Sequence, residues 1–197
     1  MDWQPYVLPQ PFIFSRDSSV LDIGCGIGNQ LAECSGRLKI GVEPDSRFAS
    51  QCHKRGYLTL RAQAERLPFA NASFDGIICK VVLPLTIEDQ AVKEMARVLK
   101  ANGKCYLITI GCGYYIRYLL LSRSLAFRFY GLRTLFNTWW WSLTHLRLPG
   151  FVGDTTYQSH HRLRRYFASN GLKLITERTT TFVGLPVFIY SELRREP

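Results

Sequence analysis

The residues best placed to do chemistry stand together near the start of the chain, in the run Val20-Leu21-Asp22-Ile23-Gly24-Cys25-Gly26-Ile27-Gly28-Asn29. An apolar stretch enters three alternating glycines and leaves into a helical stretch. Glycine takes positive φ freely and lets the backbone approach a ligand, while the first N–H groups of a helix remain free to donate. Such a turn suits a nucleotide-like cofactor. Asp22 stands two residues ahead of Gly24, where a carboxylate repels a pyrophosphate and attracts a cationic amino-acid moiety, directly or through water. Glu43 closes the next apolar run, Ile40-Gly41-Val42-Glu43, about 20 residues after the glycines, where one carboxylate can accept from both hydroxyls of a ribose. Read singly, Asp22 would serve as a helix N-cap, Glu43 as a solvated turn residue, and the glycines as those of an NAD-binding fold. Their joint spacing points to a cofactor with a cationic end.

The elements that must position these groups alternate in type. From Ser19 to Leu107 short apolar runs exchange with polar-faced helical stretches, the pattern of βαβ units on a parallel sheet. Strands are predicted over 20–23, 39–42, 58–61, 76–80 and 104–110, and helices over 30–34, 46–55 and 89–99. The third helix has Ala91, Met95, Val98 and Leu99 at helical spacing, with Gly103 as its closing glycine. After Ile110 the alternation stops. Gly111 to Pro149 carries Tyr114, Tyr115, Tyr118, Phe127, Phe129, Tyr130, Phe136 and the triplet Trp139-Trp140-Trp141, and reads as an insertion. A basic helix is then expected over 161–169, a stop at Asn170-Gly171, and strands over 173–180 and 186–193.

With 197 residues, 47% of them hydrophobic and 20% charged, the chain fits one domain, and a disordered or fibrous protein is excluded. The six cysteines form no C-x-x-C pair and have no histidine at zinc spacing, so no metal site is expected. Asp2, Pro5, Pro9 and Pro11 do not resemble a secretory leader, and no apolar run reaches the ~20 residues that span a bilayer. A cytoplasmic location is the expectation. The net charge is +10, and no acidic residue occurs from Met95 to Gly153, where Arg97, Lys100, Lys104, Arg117, Arg123, Arg128, Arg133 and Arg147 all fall. Such a field favours lipid headgroups, nucleic acid or an acidic substrate.

Three further segments follow the glycine loop in order: Ala64-Glu65-Arg66-Leu67-Pro68-Phe69, Ser73-Phe74-Asp75, and Glu94-Met95-Ala96-Arg97-Val98-Leu99-Lys100 before Gly103. With them the chain resembles the class I S-adenosylmethionine-dependent methyltransferases, specifically the small-molecule branch called methyltransferase domain 11. The resemblance is dense over Ser19 to Thr109 and loose over Tyr157 to Leu193. It implies a Rossmann-like, doubly wound α/β sheet in the order 3-2-1-4-5-7-6 with the last strand antiparallel. It further implies one domain over 1–197, with a substrate-covering insertion at 111–157 after the fifth strand. The implied cofactor is S-adenosylmethionine and the product S-adenosylhomocysteine. Asp22, Gly24, Cys25, Gly26 and Gly28 would wrap the methionine part, Glu43 the ribose, and Pro44 and Asp45 the adenine edge. Ala64 would stack near adenine, flanked by Glu65, with Lys80 at the end of the fourth strand. Gln63 stands where relatives commonly have an acidic residue, and its amide oxygen can still accept from the adenine amino group. Pro84 and Leu85 occupy the place of a histidine pair found in many relatives, so that loop supplies no catalytic histidine.

Methyl transfer from a sulfonium is an in-line displacement that asks mainly for positioning and exclusion of water. A hydroxyl or ammonium acceptor also needs a base, and by family topology the candidates are Tyr114, Tyr115, His160 and His161. Arg162, Arg164 and Arg165 directly after the histidines suit a solvent-facing basic helix instead. The expected acceptor is a small organic molecule, amphipathic or apolar, covered by the aromatic insertion, with the methylated atom and the oligomeric state open. One alternative is a nucleic-acid methyltransferase, favoured by charge and stackable aromatics. Against it, no Asn/Asp-Pro-Pro-aromatic sequence follows the fourth strand and Ile78, not proline, precedes Cys79. Another is a non-catalytic cofactor-binding subunit that serves a partner, since only about 18 residues precede the glycine strand. Three adjacent tryptophans cannot all face one core, so one face of that stretch meets solvent, membrane, ligand or partner. Peripheral contact with an anionic membrane is expected on composition, although Arg117, Arg123, Arg128 and Arg133 do not share a face of one helix.

Overall fold

The computed structural model describes residues 12–146, 148, 150 and 154–197. Asp2, Pro5, Pro9, Pro11, Arg147, Pro149 and Gly153 lie outside the described residues. The first half runs β1 (Ser19–Ile23), α1 (Asn29–Glu33), β2 (Leu38–Val42), α2 (Ser46–Lys54), β3 (Leu58–Leu60), β4 (Phe74–Lys80), α3 (Glu88–Val98) and β5 (Leu99–Ile110). Then come α4 (Cys112–Leu121), α5 (Leu125–Thr144), α6 (His160–Ser169), β6 (Leu172–Phe182) and β7 (Leu185–Arg195). The strands form one sheet in the order β3-β2-β1-β4-β5-β7-β6, the predicted order. β1 to β5 are parallel, and β7 is antiparallel to both β5 and β6.

β1 and β4 lie mid-sheet with both faces covered, which is why they read as continuous apolar runs rather than alternating ones. One face packs Leu21, Ile23, Ile77 and Leu107 against Met95 and Val98 of α3 and Leu163 and Phe167 of α6. The other gathers Phe12, Phe14, Val20, Ile78, Ile108 and Tyr190. Because β1 neighbours both β2 and β4, the chain winds outward in two directions from this point. A crevice opens there at the carboxyl ends of the strands.

The end of α3 differs from the sequence expectation. The helix stops at Val98 and β5 starts at once with Leu99. The left-handed residue is Asn102 (φ 62°), a residue type that tolerates this region, and Gly103 lies inside the strand. There a Cβ would meet the Lys100 carbonyl oxygen at 2.8 Å, so glycine serves close packing and not the helix stop.

The insertion is a helical hairpin. Gly113 lets α4 rest on the backbone between β6 and β7, where a Cβ would lie 2.5 Å from the Leu185 carbonyl oxygen. Gly131 lets α5 cross α4, where a Cβ would lie 2.6 Å from the Tyr115 carbonyl oxygen. Residues 154–158 then run as a strap behind α5. Asn137 Nδ2 donates to the Thr155 carbonyl at 3.2 Å and the Tyr157 N–H to Thr138 Oγ1 at 3.0 Å. On its other side the strap donates from Thr156 N–H to the Pro84 carbonyl (2.9 Å) and from Gln158 N–H to the Ile110 carbonyl (2.8 Å). The helix α6 is not wholly a solvent-facing basic helix. Arg162 is buried and pairs with buried Glu88 of α3, Nε to Oε2 at 2.7 Å.

Candidate active site

The glycine loop leaves β1 with Gly24, Gly26 and Gly28 all at positive φ (68°, 53° and 86°). Their roles differ. A Cβ on Gly24 would lie 2.3 Å from Val82 Cγ2, and one on Gly28 would lie 2.8 Å from Cys52 Sγ. A Cβ on Gly26 would meet nothing within 4 Å among the described residues, so this side of the loop is open. Cys25 is buried with its Sγ 3.8 Å from Cys52 Sγ, and burial pushes its thiol pKa up.

Two buried carboxylates flank the loop. Glu43 at the end of β2 accepts from Gly26 N–H (2.9 Å) and Asp45 N–H (3.1 Å), one bond to each oxygen. Each oxygen therefore keeps acceptor capacity while the β1 and β2 loops are tied together. Asp22 is 1% exposed and its Oδ2 has no hydrogen-bond partner among the described residues. Burial pushes its pKa up to about 8, with the Lys80 ammonium opposing and the Glu43 carboxylate adding to the rise. A buried carboxyl oxygen without a donor is uncommon and marks where a cation is wanted.

Beside them opens a cleft of about 250 Å³. It brings together Gly24, Glu43, Pro44, Gln63, Ala64, Glu65 and Lys80 from β1, β2, the segment after β3, and β4. Asp22, Cys25, Gly26, Gly28 and Asp45 are not among its walls. Asp45 caps α2 and binds Arg47, whose side-chain and backbone hydrogen bonds hold its carboxyl at about 2, so its charge is committed away from the cleft. Glu65 Oε1 accepts from Ile87 N–H at 2.8 Å, which ties the segment after β3 to the start of α3.

The sequence reading missed the wall made by Val81, Val82, Leu85 and Thr86. Its signal was the apolar run Val81-Val82-Leu83-Pro84-Leu85 directly after a strand, where a polar loop is usual. Val81 sits at φ 59°, a strained conformation for a β-branched side chain, and its N–H donates to the Ile108 carbonyl at 2.7 Å. The strain places Val82 over Gly24.

None of the four proposed bases reaches the cleft. Tyr115 is fully buried within the hairpin, and the Tyr114 hydroxyl lies 3.0 Å from that of Tyr118. Burial raises both phenols, the opposite of what a base requires. His160 Nδ1 lies 3.0 Å from Glu177 Oε1 on β6, the outermost strand, and His161 is exposed. Among the described residues, the aromatic residues of α4 and α5 are not part of the walls of this cleft.

Residues 21–107 match the family model of methyltransferase domain 11, described as a methyltransferase domain. These residues carry a methyltransferase domain, and the chain is similar over them to the S-adenosylmethionine-dependent methyltransferases. It is 35% identical over 100 residues to a bifunctional biotin biosynthesis protein BioHC of Cellvibrio japonicus, covering 48% of this chain and 20% of that one. It is 36% identical over 99 residues to the uncharacterized methyltransferase YcgJ of Bacillus subtilis, covering 45% and 39%. The chain thus spans less than half the length of these curated relatives. The fold is shared with an S-adenosylmethionine-dependent methyltransferase of Methanosarcina mazei, with a TM-score of 0.66, 17% identity, and 93% and 94% of the two chains covered.

S-adenosylmethionine is the cofactor of this methyltransferase family, and the residues present fit it. Asp22 would offer its oxygen to the ammonium of the methionine part, Gly26 its backbone, and Glu43 its remaining lone pairs to the ribose hydroxyls. Gln63 is exposed at the cleft, free to reach an adenine edge.

Proposed function

We propose that this chain transfers a methyl group from S-adenosylmethionine to a small organic acceptor of apolar or amphipathic character. The observation that carries the acceptor class is the make-up of the cleft. Its β4 side is built from Val81, Val82 and Leu85, and among the described residues neither an aromatic ring nor an arginine lines it. A flipped base would be gripped by stacking and edge hydrogen bonds, for which these walls offer little.

Bound in the cleft, the cofactor supplies a methyl on a positively charged sulfur. The chain's own task is positional. Glu43 with Gln63 would fix one half of an extended molecule at the cleft. Asp22, buried behind the glycine loop, would draw the cationic end of the other half toward the loop, directly or through water, so that the reactive middle is held between them. The valine wall excludes water and holds an apolar acceptor beside it. With Tyr114, Tyr115, His160 and His161 away from the cleft, the transfer relies on approach and desolvation rather than on a base from those residues.

Calorimetry with S-adenosylmethionine, S-adenosylhomocysteine and NAD tests the cofactor half. The first two should bind and NAD should not, and Asp22→Ala or Glu43→Ala should weaken binding about ten- to a hundredfold, roughly 1.5 to 3 kcal/mol. The acceptor half is tested by offering methyl-labelled cofactor with an organic-solvent extract of cells or with total RNA. Label in the organic phase supports the small acceptor; label precipitating with RNA would overturn it.

A further inference from the structure

The outward face of α5 is apolar along its whole length. Leu125, Phe129, Leu132, Phe136, Trp139 and Leu143 follow one another at alternating spacings of four and three, which places them in one stripe, and each is 48–79% exposed. The buried face is made instead of Gly131, Thr134, Asn137 and Thr138 with the ion-paired Arg133. This helix is turned polar side inward, and its stripe runs about 27 Å at the helical rise. A contiguous apolar surface of that extent marks an interaction site. The stripe was hidden in the sequence because Phe127, Tyr130, Leu135, Trp140 and Trp141 fill positions between its members.

The surroundings decide what covers it. Leu120 and Leu121 extend the apolar surface at the end of α4, and Arg123 and Arg128 are exposed at the turn into α5. No carboxylate occurs between residues 95 and 153. A second copy of this face would bring no carboxylate to the exposed Arg123 and Arg128, since none occurs along α4 or α5. Exposed arginines beside a Phe, Trp and Leu face are the composition of helices that lie in a bilayer interface, with cations at the phosphates and rings at the acyl boundary. Among the described residues no helix is long and apolar enough to cross a membrane, in keeping with an in-plane position.

We infer that α5 seats this stripe in the interfacial layer of an anionic bilayer, with Arg123 and Arg128 against lipid phosphates. The docking stands independently of the methyl-transfer reading, but the two meet in space. The strap that α5 holds with Asn137 and Thr138 reaches Pro84, in the turn whose Leu85 lines the cleft.

Flotation of the full chain with phosphatidylcholine vesicles, with and without phosphatidylglycerol, tests this. The protein should float with the anionic vesicles only and detach as salt is raised. Leu132→Glu combined with Phe136→Glu should lower the partition coefficient about tenfold or more while S-adenosylmethionine binding persists as the control of fold. Should that variant not fold, Arg123→Glu with Arg128→Glu, both at exposed positions, should lose the preference for phosphatidylglycerol. Equal absence from both vesicle fractions would overturn the inference. So would sedimentation showing a dimer that the stripe substitutions convert to monomer without any vesicle binding, because the stripe would then belong to a second copy.

Discussion

Asp22 makes the cofactor site sensitive to pH before any ligand arrives. Its pKa is raised from 3.8 to about 8, chiefly by burial. Between those values the folded chain keeps a proton that the unfolded chain has released, so the folded state binds more protons and stability must fall as pH rises through that window. Urea midpoints measured across it should decline for the wild type. In Asp22→Asn this contribution to the slope disappears, and the variant should be the more stable at and above pH 8; a wild-type profile indifferent to the substitution would refute the assignment. Binding carries a second signature of the same group. A cationic ammonium beside the carboxylate favours its ionised form, so at neutral pH S-adenosylmethionine should displace about one proton. Calorimetric enthalpies in buffers of different ionisation heat would then differ by that proton, and identical enthalpies would place the ammonium elsewhere.

The elements around the hairpin are joined by one buried polar cluster. Glu88, on the first turn of α3, accepts from Thr156 Oγ1 and Gln158 Nε2 of the strap, each at 3.0 Å, and from Arg162 of α6 at 2.7 and 3.0 Å. The Arg162 guanidinium also lies over the Trp141 ring of α5, 4.8 Å from its centroid. A buried ion pair adds little over an apolar pair, but removing one partner strands the other charge together with its donors. Glu88→Ala should therefore lower stability by about 3 to 5 kcal/mol. Arg162→Lys, which keeps the charge but loses the fork and the stacking, should cost less; the comparison is read from denaturant midpoints. Equal losses would mean that charge alone holds the strap. This cluster also explains why the three tryptophans are not equivalent. Trp139 belongs to the exposed stripe, while Trp141 is part of what fixes α6 to the hairpin.

At the scale of the whole molecule, what was legible in the sequence was what neighbouring residues along the chain decide. The glycine loop and Glu43 follow from short spacings and the parallel sheet from the alternation of apolar runs, while the strand order came with the family resemblance, and the structure gathers Gly24, Glu43, Gln63 and Ala64 around one cleft. What was not legible depends on packing between distant segments. Glu88 and Arg162 stand 74 residues apart with no local pattern to join them. Tyr114, Tyr115 and His160 carry suitable chemistry, but the hairpin and β6 turn them away from the cleft. The outward aromatic stripe of the insertion was not legible either, because it depends on which face of α5 packs on the strap. That arrangement divides the molecule into a cofactor half and a docking half, with the strap between them. A cofactor that binds only the folded chain stabilises it by an amount set by its affinity, about 2.7 kcal/mol at a hundredfold excess over Kd, or roughly 5 to 10 °C in Tm for a domain of this size. Since no wall of the cleft comes from α5, Leu132→Glu with Phe136→Glu should show the same S-adenosylmethionine-induced rise as the wild type, to within about a factor of three in Kd. Asp22→Ala should lose most of that rise at the same ligand concentration. If the stripe substitutions abolished the rise in a chain that still unfolds cooperatively, α5 would have to close over the cofactor when it binds, and the two halves would be one.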